Sequence, residues 1–237
     1  MNLIQIELTN VCNLNCPFCY RKYMTREQGF MDLETFKKSL KLAKELKVKE
    51  VWLHNFGEPL LHSEVYNFVK LASKNFKVGF TTNGSSLSLD KLEQLKRNNL
   101  TFLDISLNME TNRFRVIHLI KYYIQANQLG IDCRFRCVVG SSAEYIYLRD
   151  FLSEYKVRWQ RQMIRAKEPR TQKCLAKTKV MIVLWDGTVV PCCSVINKEI
   201  IYGKVGEELN TELNELENEY CKWCGEVNEE MPVGRKL

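Results

Sequence analysis

Three cysteines within eight residues constrain this chain more than any other feature of its sequence. Residues 12–19 read CNLNCPFC, so the cysteines are separated by three and then by two residues. The preceding residues 3–9 alternate between apolar and polar side chains, which predicts a strand that leads into a loop. A closed [4Fe–4S] site takes four thiolates. Three cysteines without a fourth nearby therefore predict a cluster in which one iron stays open for another ligand.

Cys12, Cys16 and Cys19 also leave two alternatives open, a disulfide framework and half of a zinc site. Zinc motifs usually supply their ligands in pairs. The chain begins with a strand rather than a basic and apolar leader, and no run approaches the roughly 18 apolar residues of a membrane helix. We therefore expect a cytoplasmic protein with no membrane partner. Because disulfides are rare in that compartment, ten cysteines in 237 residues favour metal or redox chemistry.

Charge is distributed unevenly along the chain. The net charge is +7, but the residues from Glu207 onward include nine acidic and three basic side chains, so the preceding part is strongly basic. A basic body can attract an acidic substrate or a nucleic acid. Lysines that coat helix faces explain the same composition, and we favour that interpretation, so a nucleic-acid partner is not expected. The sequence indicates no oligomeric state.

Strands and helices alternate through most of the chain. Helical segments separate six predicted strands, at residues 3–9, 50–55, 77–82, 101–108, 131–139 and 157–164. This alternation predicts an α/β fold with a parallel sheet, either barrel-like or doubly wound. Several strands carry one polar face, as with Asp104 and Ser106, whereas strands buried on both faces are apolar throughout. We therefore predict a partial barrel whose inner surface lines a ligand cavity.

Three arginines lie on the predicted polar face. Arg134 and Arg136 alternate with apolar residues on the fifth strand, and Arg158 lies on the sixth. The planar guanidinium group suits planar anions such as carboxylates, so Arg134 and Arg136 are candidates to bind an anionic group, whereas Arg158 is a candidate to line the same cavity. A solvent-facing strand edge is the alternative for Arg158. Cys133 and Cys137 lie on the opposite face and are expected to be small buried hydrophobes.

The alternation of strands and helices breaks near residue 166. A predicted hairpin at residues 180–190 turns at Asp186 and Gly187, and a predicted helix that begins near Leu209 leads to Cys221 and Cys224. We therefore divide the chain into a barrel domain, residues 1–165, and a separate small module, residues 166–237.

The cysteine loop carries the resemblance to a known family. Cys12, Cys16 and Cys19, with the aromatic Phe18 before the last of them, resemble the signature of radical S-adenosylmethionine (SAM) enzymes. The resemblance implies a [4Fe–4S] cluster on the three thiolates, with its open iron bound by the amino and carboxylate groups of SAM. It further implies one-electron cleavage of SAM to a 5′-deoxyadenosyl radical that abstracts a substrate hydrogen. The electron would come from an external reductant such as flavodoxin or ferredoxin.

Other segments add weaker matches to the same family. Residues 56–59 correspond to its Gly-Gly-Glu-Pro motif, which binds the SAM amino group, although Phe56 replaces the first glycine. The resemblance also allows Arg134 or Arg136 to hold the SAM carboxylate or an acidic group of the substrate. The remaining SAM contacts that it implies are Phe18, Gly57, Glu58, Pro59, Thr82, Asn83 and Ser106.

The C-terminal module resembles the shortened SPASM domains called twitch domains, which hold one auxiliary [4Fe–4S] cluster. Four thiolates suffice for a closed cluster, and a structural zinc site with the same thiolates is the alternative. Within the family, residues 54–61 and the interval from Cys174 to Cys192 resemble 2-deoxy-scyllo-inosamine dehydrogenases most closely. The implied ligands are Cys174, Cys192, Cys221 and Cys224.

These resemblances imply a partial (β/α)6 radical SAM barrel with a small auxiliary-cluster module. The implied reaction is a net oxidation of a small molecule or short peptide, in which the auxiliary cluster accepts the second electron. A radical SAM epimerase and a peptide-modifying maturase are alternatives, with Cys193 as a candidate hydrogen donor and Arg158 as a second candidate catalytic residue. For Cys193 we favour an alternative ligand or a buried thiol. The alternative outside enzymes is an iron–sulfur or zinc protein that binds nucleic acid.

Overall fold

The structure is a computed structural model that describes residues 3–107, 113–139, 142–161, 174, 180–212, 217–222 and 224. Its described helices are α1 (Leu33–Glu45), α2 (Val65–Ser73), α3 (Leu89–Arg97), α4 (Arg113–Gln128), α5 (Ser142–Phe151) and α6 (Glu219–Lys222). Its described strands are β1 (Leu3–Ile6), β2 (Glu50–Trp52), β3 (Lys77–Thr82), β4 (Phe102–Leu107), β5 (Asp132–Val139), β6 (Val157–Arg161), β7 (Val180–Val183), β8 (Thr188–Val190) and β9 (Gly203–Lys204). Short 3-10 turns cover Tyr20–Tyr23 and Pro59–Leu61. None of the described helices has the length and apolar character of a membrane span.

The described strands form one sheet in the order β6-β5-β4-β3-β2-β1-β7-β8-β9. The strands β1 to β6 are parallel, and from β1 to β5 each lies beside its successor in the chain. Because parallel crossovers are right-handed, this stepwise order places the connecting helices on one face of the sheet. A doubly wound sheet would instead reverse direction and carry helices on both faces. The predicted α/β fold with a parallel sheet is confirmed, and its strand order is that of a partial barrel.

The apolar face of the sheet packs against the helices. Phe36 of α1 and Phe68 of α2 are fully buried and stack with ring centroids 4.1 Å apart. Each buried side chain of this size stabilises the fold by roughly 1.5–3 kcal/mol. Cys133 and Cys137 of β5 lie on the same side, and burial raises the pKa of both thiols. Both are therefore small buried hydrophobes, as the alternation of β5 predicts.

The C-terminal strands extend the same sheet. β7 pairs in parallel with β1, and β8 returns antiparallel to β7. The hairpin turns at Gly187, whose φ of 83° favours glycine, as expected for this turn. The predicted domain boundary at residue 166 lies outside the described residues and stays a prediction.

The helix predicted from Leu209 is wrong at its start. Residues 208–212 are not helical. Asn210 N–H instead donates to the carbonyl of Tyr202, the residue before β9, and this bond holds the segment beside the start of that strand. Among the described residues, the helix covers only Glu219–Lys222, and residues 213–216 lie outside them.

The capping of α1 by Asp32 can be tested by mutation. The Asp32 carboxylate accepts a hydrogen bond from Thr35 N at 2.7 Å, which holds the pKa of Asp32 below its usual range. Asp32→Ala removes this cap, and we expect the free energy of unfolding to fall by about 1 kcal/mol in a denaturant titration. Asp32→Asn keeps an acceptor and should lose much less. Equal losses in the two variants would contradict the capping role.

Candidate active site

The polar face of the sheet encloses a cavity of about 200 Å³ at the carboxyl ends of β2 to β5. This end of a parallel sheet is where ligands usually bind. The cysteine loop after β1 forms the opposite side of the cavity. Ten of the predicted site residues line it: Cys12, Cys16, Phe18, Cys19, Gly57, Glu58, Thr82, Asn83, Ser106 and Arg136.

The cysteine loop is held by its own basic side chains. Arg21 Nη2 donates to the Leu14 carbonyl at 2.8 Å, and Lys22 Nζ donates to the Pro17 carbonyl at 2.6 Å. Cys19 N–H donates to the Cys16 carbonyl at 3.0 Å, which closes a tight turn between these two cysteines. These bonds hold three carbonyls of the loop that presents the thiols to the cavity.

The three thiols suit an iron–sulfur cluster. Cys12, Cys16 and Cys19 are partly buried around one cavity, and burial raises the pKa of the Cys19 thiol. Within the described ranges, no group of three or more His, Cys, Asp or Glu side chains converges closely enough to hold a metal ion. Ligands of one ion must all lie close to a single point, whereas each thiolate of a four-iron cluster binds a different iron. Three thiolates on one loop therefore fit a four-iron cluster that leaves one iron open for another ligand.

The turn after β2 approaches the cysteine loop through a glycine. Gly57 has a φ of 85°, and a Cβ atom there would lie 2.4 Å from the Thr9 carbonyl oxygen. The next amide, Glu58 N–H, donates to the Val11 carbonyl at 2.9 Å. Any larger residue at position 57 would push this turn away from the cysteines.

The Glu58 carboxylate anchors the end of β3. It accepts hydrogen bonds from Thr82 Oγ1 at 2.8 Å, Asn83 N at 2.7 Å and Leu60 N at 3.1 Å. Glu58 is 1% exposed, and burial raises the pKa of its carboxyl group. Pro59 is buried at the start of the following 3-10 turn, behind the cavity surface. Glu58 thereby fixes the positions of two further predicted SAM contacts, Thr82 and Asn83.

A polar wall completes the cavity on the inner face of β2 to β5. Arg136 Nη1 lies 3.2 Å from both His54 Nε2 and Thr81 Oγ1. His54 is buried, and the pKa of its imidazole is well below the usual value, chiefly because of burial and then because of the Arg136 and Arg158 charges. His54 is therefore neutral. Ser106 lies beside Arg136 in the β4–β5 register.

Two of the predicted arginines lie outside this lining. Arg134 Nε donates to Asp104 Oδ1 at 3.1 Å, and its guanidinium lies 5.7 Å from the Trp52 ring centroid. Arg158 Nη1 lies 3.9 Å from Asp104 Oδ2. Asp104 is fully buried, and burial raises the pKa of its carboxyl group. A role for Arg134 in binding the SAM carboxylate is less direct than one for Arg136.

The strongest polar contact of the site involves two residues that no motif predicts. Arg26 Nη1 and Nη2 donate to Glu7 Oε1 and Oε2, both at 2.7 Å, and both side chains are buried. Glu7 Oε2 also accepts from Asn55 Nδ2 at 3.0 Å and from Phe56 N at 3.3 Å. The only sequence signal for this ion pair is an acidic residue, Glu7, in the predicted first strand.

Arg26 also contacts the segment that follows β8. Its Nε donates to the Ile196 carbonyl at 2.8 Å, while Asn197 bonds to the backbone of Tyr23 and Thr25. The Glu7–Arg26 ion pair therefore joins the end of β1, the segment after the cysteine loop, the turn after β2 and the segment that follows Cys192 and Cys193.

The C-terminal cysteines lie near one another. Burial raises the pKa of the Cys192 thiol to about 12, with further contributions from neighbouring Cys193, Cys224 and Cys174. Cys224 N–H donates to the Cys221 carbonyl at 3.0 Å, the same turn that Cys16 and Cys19 form. Trp223 lies outside the described residues. The auxiliary cluster stays a prediction.

The buried ion pair predicts strong coupling between Glu7 and Arg26. Arg26→Met leaves the buried Glu7 carboxylate without its counter-charge, and we expect a loss of about 3–5 kcal/mol in the free energy of unfolding. Combining it with Glu7→Leu should cost less than the sum of the two single changes, measured by denaturant titration.

The exposed Arg97–Glu93 pair on α3 is the matched control. There, the corresponding changes should cost about 0.3–0.5 kcal/mol. Additive losses at Glu7 and Arg26 would show that the two side chains do not depend on each other.

Comparison with known proteins agrees with this geometry. Residues 6–127, slightly more than half of the chain, match the Radical SAM superfamily. A tungsten-containing aldehyde ferredoxin oxidoreductase cofactor-modifying protein of Pyrococcus furiosus is 28% identical over 145 residues, which are 60% of this chain and 41% of that protein. The chain spans about two fifths of the length of the curated relatives it matches.

Solved structures share the fold at low sequence identity. BtrN in complex with AdoMet and 2-DOIA is 20% identical, has a TM-score of 0.62, and the match covers 93% of this chain and 83% of BtrN. Streptococcus suis SuiB bound to precursor peptide SuiA is 17% identical, has a TM-score of 0.61, and the match covers 92% of this chain and 63% of SuiB. The chain therefore belongs to the radical SAM superfamily, whose members use a [4Fe–4S] cluster and SAM.

Proposed function

We propose that this radical SAM enzyme removes a hydrogen atom from an unactivated carbon and completes a net oxidation of a small molecule or short peptide. The observation that carries the proposal is the single cavity in which the cysteine loop, the Gly57–Glu58 turn and the polar strand ends meet. When bound, the cluster and SAM supply the reducing electron and the hydrogen-abstracting radical. The electron would come from a reductant such as flavodoxin or ferredoxin.

The chain's own residues bind and orient the reactants. The thiolates of Cys12, Cys16 and Cys19 hold the cluster, and the Gly57 turn brings backbone groups close to it. Arg136 and Ser106 offer donors to the carboxylate of SAM from the opposite wall. Precise positioning of this kind is the main contribution of the protein in cofactor enzymes.

The C-terminal cysteines support the oxidative half of the proposal. Cys174, Cys192, Cys221 and Cys224 supply four thiolates, which close a cluster and leave no iron open for the substrate. Such a cluster suits electron transfer better than substrate binding. Arg26 and Asn197 connect this module to the cysteine loop, so the two cluster sites lie on linked segments.

The proposed substrate class rests on two solved structures with the same fold. BtrN was solved with the small molecule 2-DOIA, and SuiB with a precursor peptide. Both classes suit a polar cavity that opens at the ends of parallel strands. Epimerisation with Cys193 as hydrogen donor is less well supported, because Cys193 is not among the described residues that line the cavity.

Cleavage of SAM is the first test. Anaerobically reconstituted protein should form 5′-deoxyadenosine from SAM and dithionite, detected by chromatography. Replacing Cys12, Cys16 and Cys19 with Ala should abolish it, because the cluster loses every protein ligand. Cys133→Ala, on the helix-packed face of β5, is the matched control and should retain the activity. An inactive wild-type protein that carries its cluster would refute the proposal.

Iron content tests the second cluster. We expect about eight irons per chain after reconstitution and about four after Cys12, Cys16 and Cys19 are replaced with Ala. Replacing Cys192, Cys221 and Cys224 with Ala should also leave about four irons, with SAM-dependent spectra intact. Four irons and one zinc in the intact protein would contradict the auxiliary cluster.

A further inference from the structure

Three hydrogen-bond donors lie in one row across the last parallel strands. The β4–β5 register pairs Ser106 with Arg136, and the β5–β6 register pairs Arg136 with Arg158. Paired residues on adjacent strands, about 4.8 Å apart, point to the same face of a sheet. Since Ser106 and Arg136 line the cavity, Arg158 continues the same row toward the β6 side.

Positive charge exceeds negative charge along this wall. Among its described residues, the guanidinium groups of Arg134, Arg136 and Arg158 face one carboxylate, that of Asp104. His54 between them is neutral, the Glu58 carboxylate at the end of β3 adds a second negative charge, and the Glu7 carboxylate is paired with Arg26, so three positive charges face two unpaired negative ones. The wall therefore presents a net positive field to whatever enters the cavity.

The three arginines differ in how firmly they are engaged. Arg134 is 29% exposed, donates to Asp104 Oδ1 and lies over aromatic rings. Arg136 contacts His54 and Thr81 inside the cavity. Arg158 is 57% exposed, and its 3.9 Å contact with Asp104 Oδ2 is too long for a hydrogen bond. Arg158 is thus the arginine best able to turn its donors to a ligand.

The Asp104 carboxylate explains why Arg158 stays on this wall. Asp104 is fully buried, and its Oδ2 has no hydrogen-bond partner among the described residues. This buried charge attracts the Arg158 guanidinium without taking up its donors. A carboxylate that is shared by two guanidinium groups neutralises neither completely.

We propose that Arg158 binds a negatively charged group of the substrate, either a carboxylate or a phosphate. The inference rests on the proposed function and narrows its substrate class to anions. A guanidinium fork binds both groups through two parallel hydrogen bonds, so arginine provides geometry as well as charge. With the SAM carboxylate on Ser106 and Arg136, the substrate anion would occupy the next position in the row.

Anion binding to the full chain tests this proposal. Anaerobically reconstituted protein with saturating SAM is titrated with inorganic phosphate or acetate at constant ionic strength, and heat is measured by calorimetry. We expect Arg158→Gln to weaken binding at least tenfold. Arg158→Lys should recover part of the loss, because it restores charge without the fork. Arg149→Gln on α5 is the matched control, with a 53% exposed arginine, and should change affinity less than twofold.

Each outcome decides one point. Binding of phosphate but not acetate, with the loss in Arg158→Gln, supports a phosphorylated substrate, and the reverse supports a carboxylate substrate. The proposal is overturned if wild-type protein binds neither anion, or if Arg158→Gln binds both as tightly. It is also overturned if Arg158→Gln weakens SAM as much as it weakens the anion, because Arg158 would then serve the cofactor. Anion binding without 5′-deoxyadenosine formation in wild-type protein would contradict the proposed function instead.

Discussion

The buried ion pair between Glu7 and Arg26 is the contact on which the site's geometry depends. Two charges removed from water require close and complete hydrogen bonding, and here the two terminal guanidinium nitrogens donate to the two carboxylate oxygens, one to each, at 2.7 Å. The same carboxylate accepts from the turn before Gly57, and the same guanidinium reaches the Ile196 carbonyl. Four segments that are distant in sequence therefore share one buried ion pair, and a shift of any of them breaks a hydrogen bond to a buried charge.

The inner face of the sheet is an unusual interior. A parallel sheet that is packed on both faces carries apolar residues throughout, but here the inner face carries Glu7, His54, Asp104 and Arg136, all of which bond to other polar groups. This network keeps the cavity open to a polar ligand because apolar side chains do not fill it. Packing of the apolar face against the helices stabilises the fold, whereas the polar face lines the cavity.

Periodicity was sufficient for the parallel α/β sheet, the polar strand faces favoured a partial barrel, and motif spacing was sufficient for one side of the cavity. Alternation predicted the inner face of β4 and β5, and the spacing of Cys12, Cys16 and Cys19 predicted the loop that faces it. Contacts between distant residues were beyond reach, because nothing in a local pattern says that Glu7 meets Arg26 or that Arg134 turns to Asp104. The helix expected from Leu209 failed because a hydrogen bond from Asn210 to Tyr202 outweighs helical spacing there.

The pairing of β7 with β1 has a consequence for how the chain is made. Leu3 lies beside Val180, so β1 leaves the ribosome about 180 residues before the strand that pairs with it. Until then one edge of β1 is unpaired, and exposed edges of this kind favour association between chains. Contacts of such long sequence separation also slow folding. We expect the barrel to remain vulnerable to aggregation until synthesis of the C-terminal strands is finished.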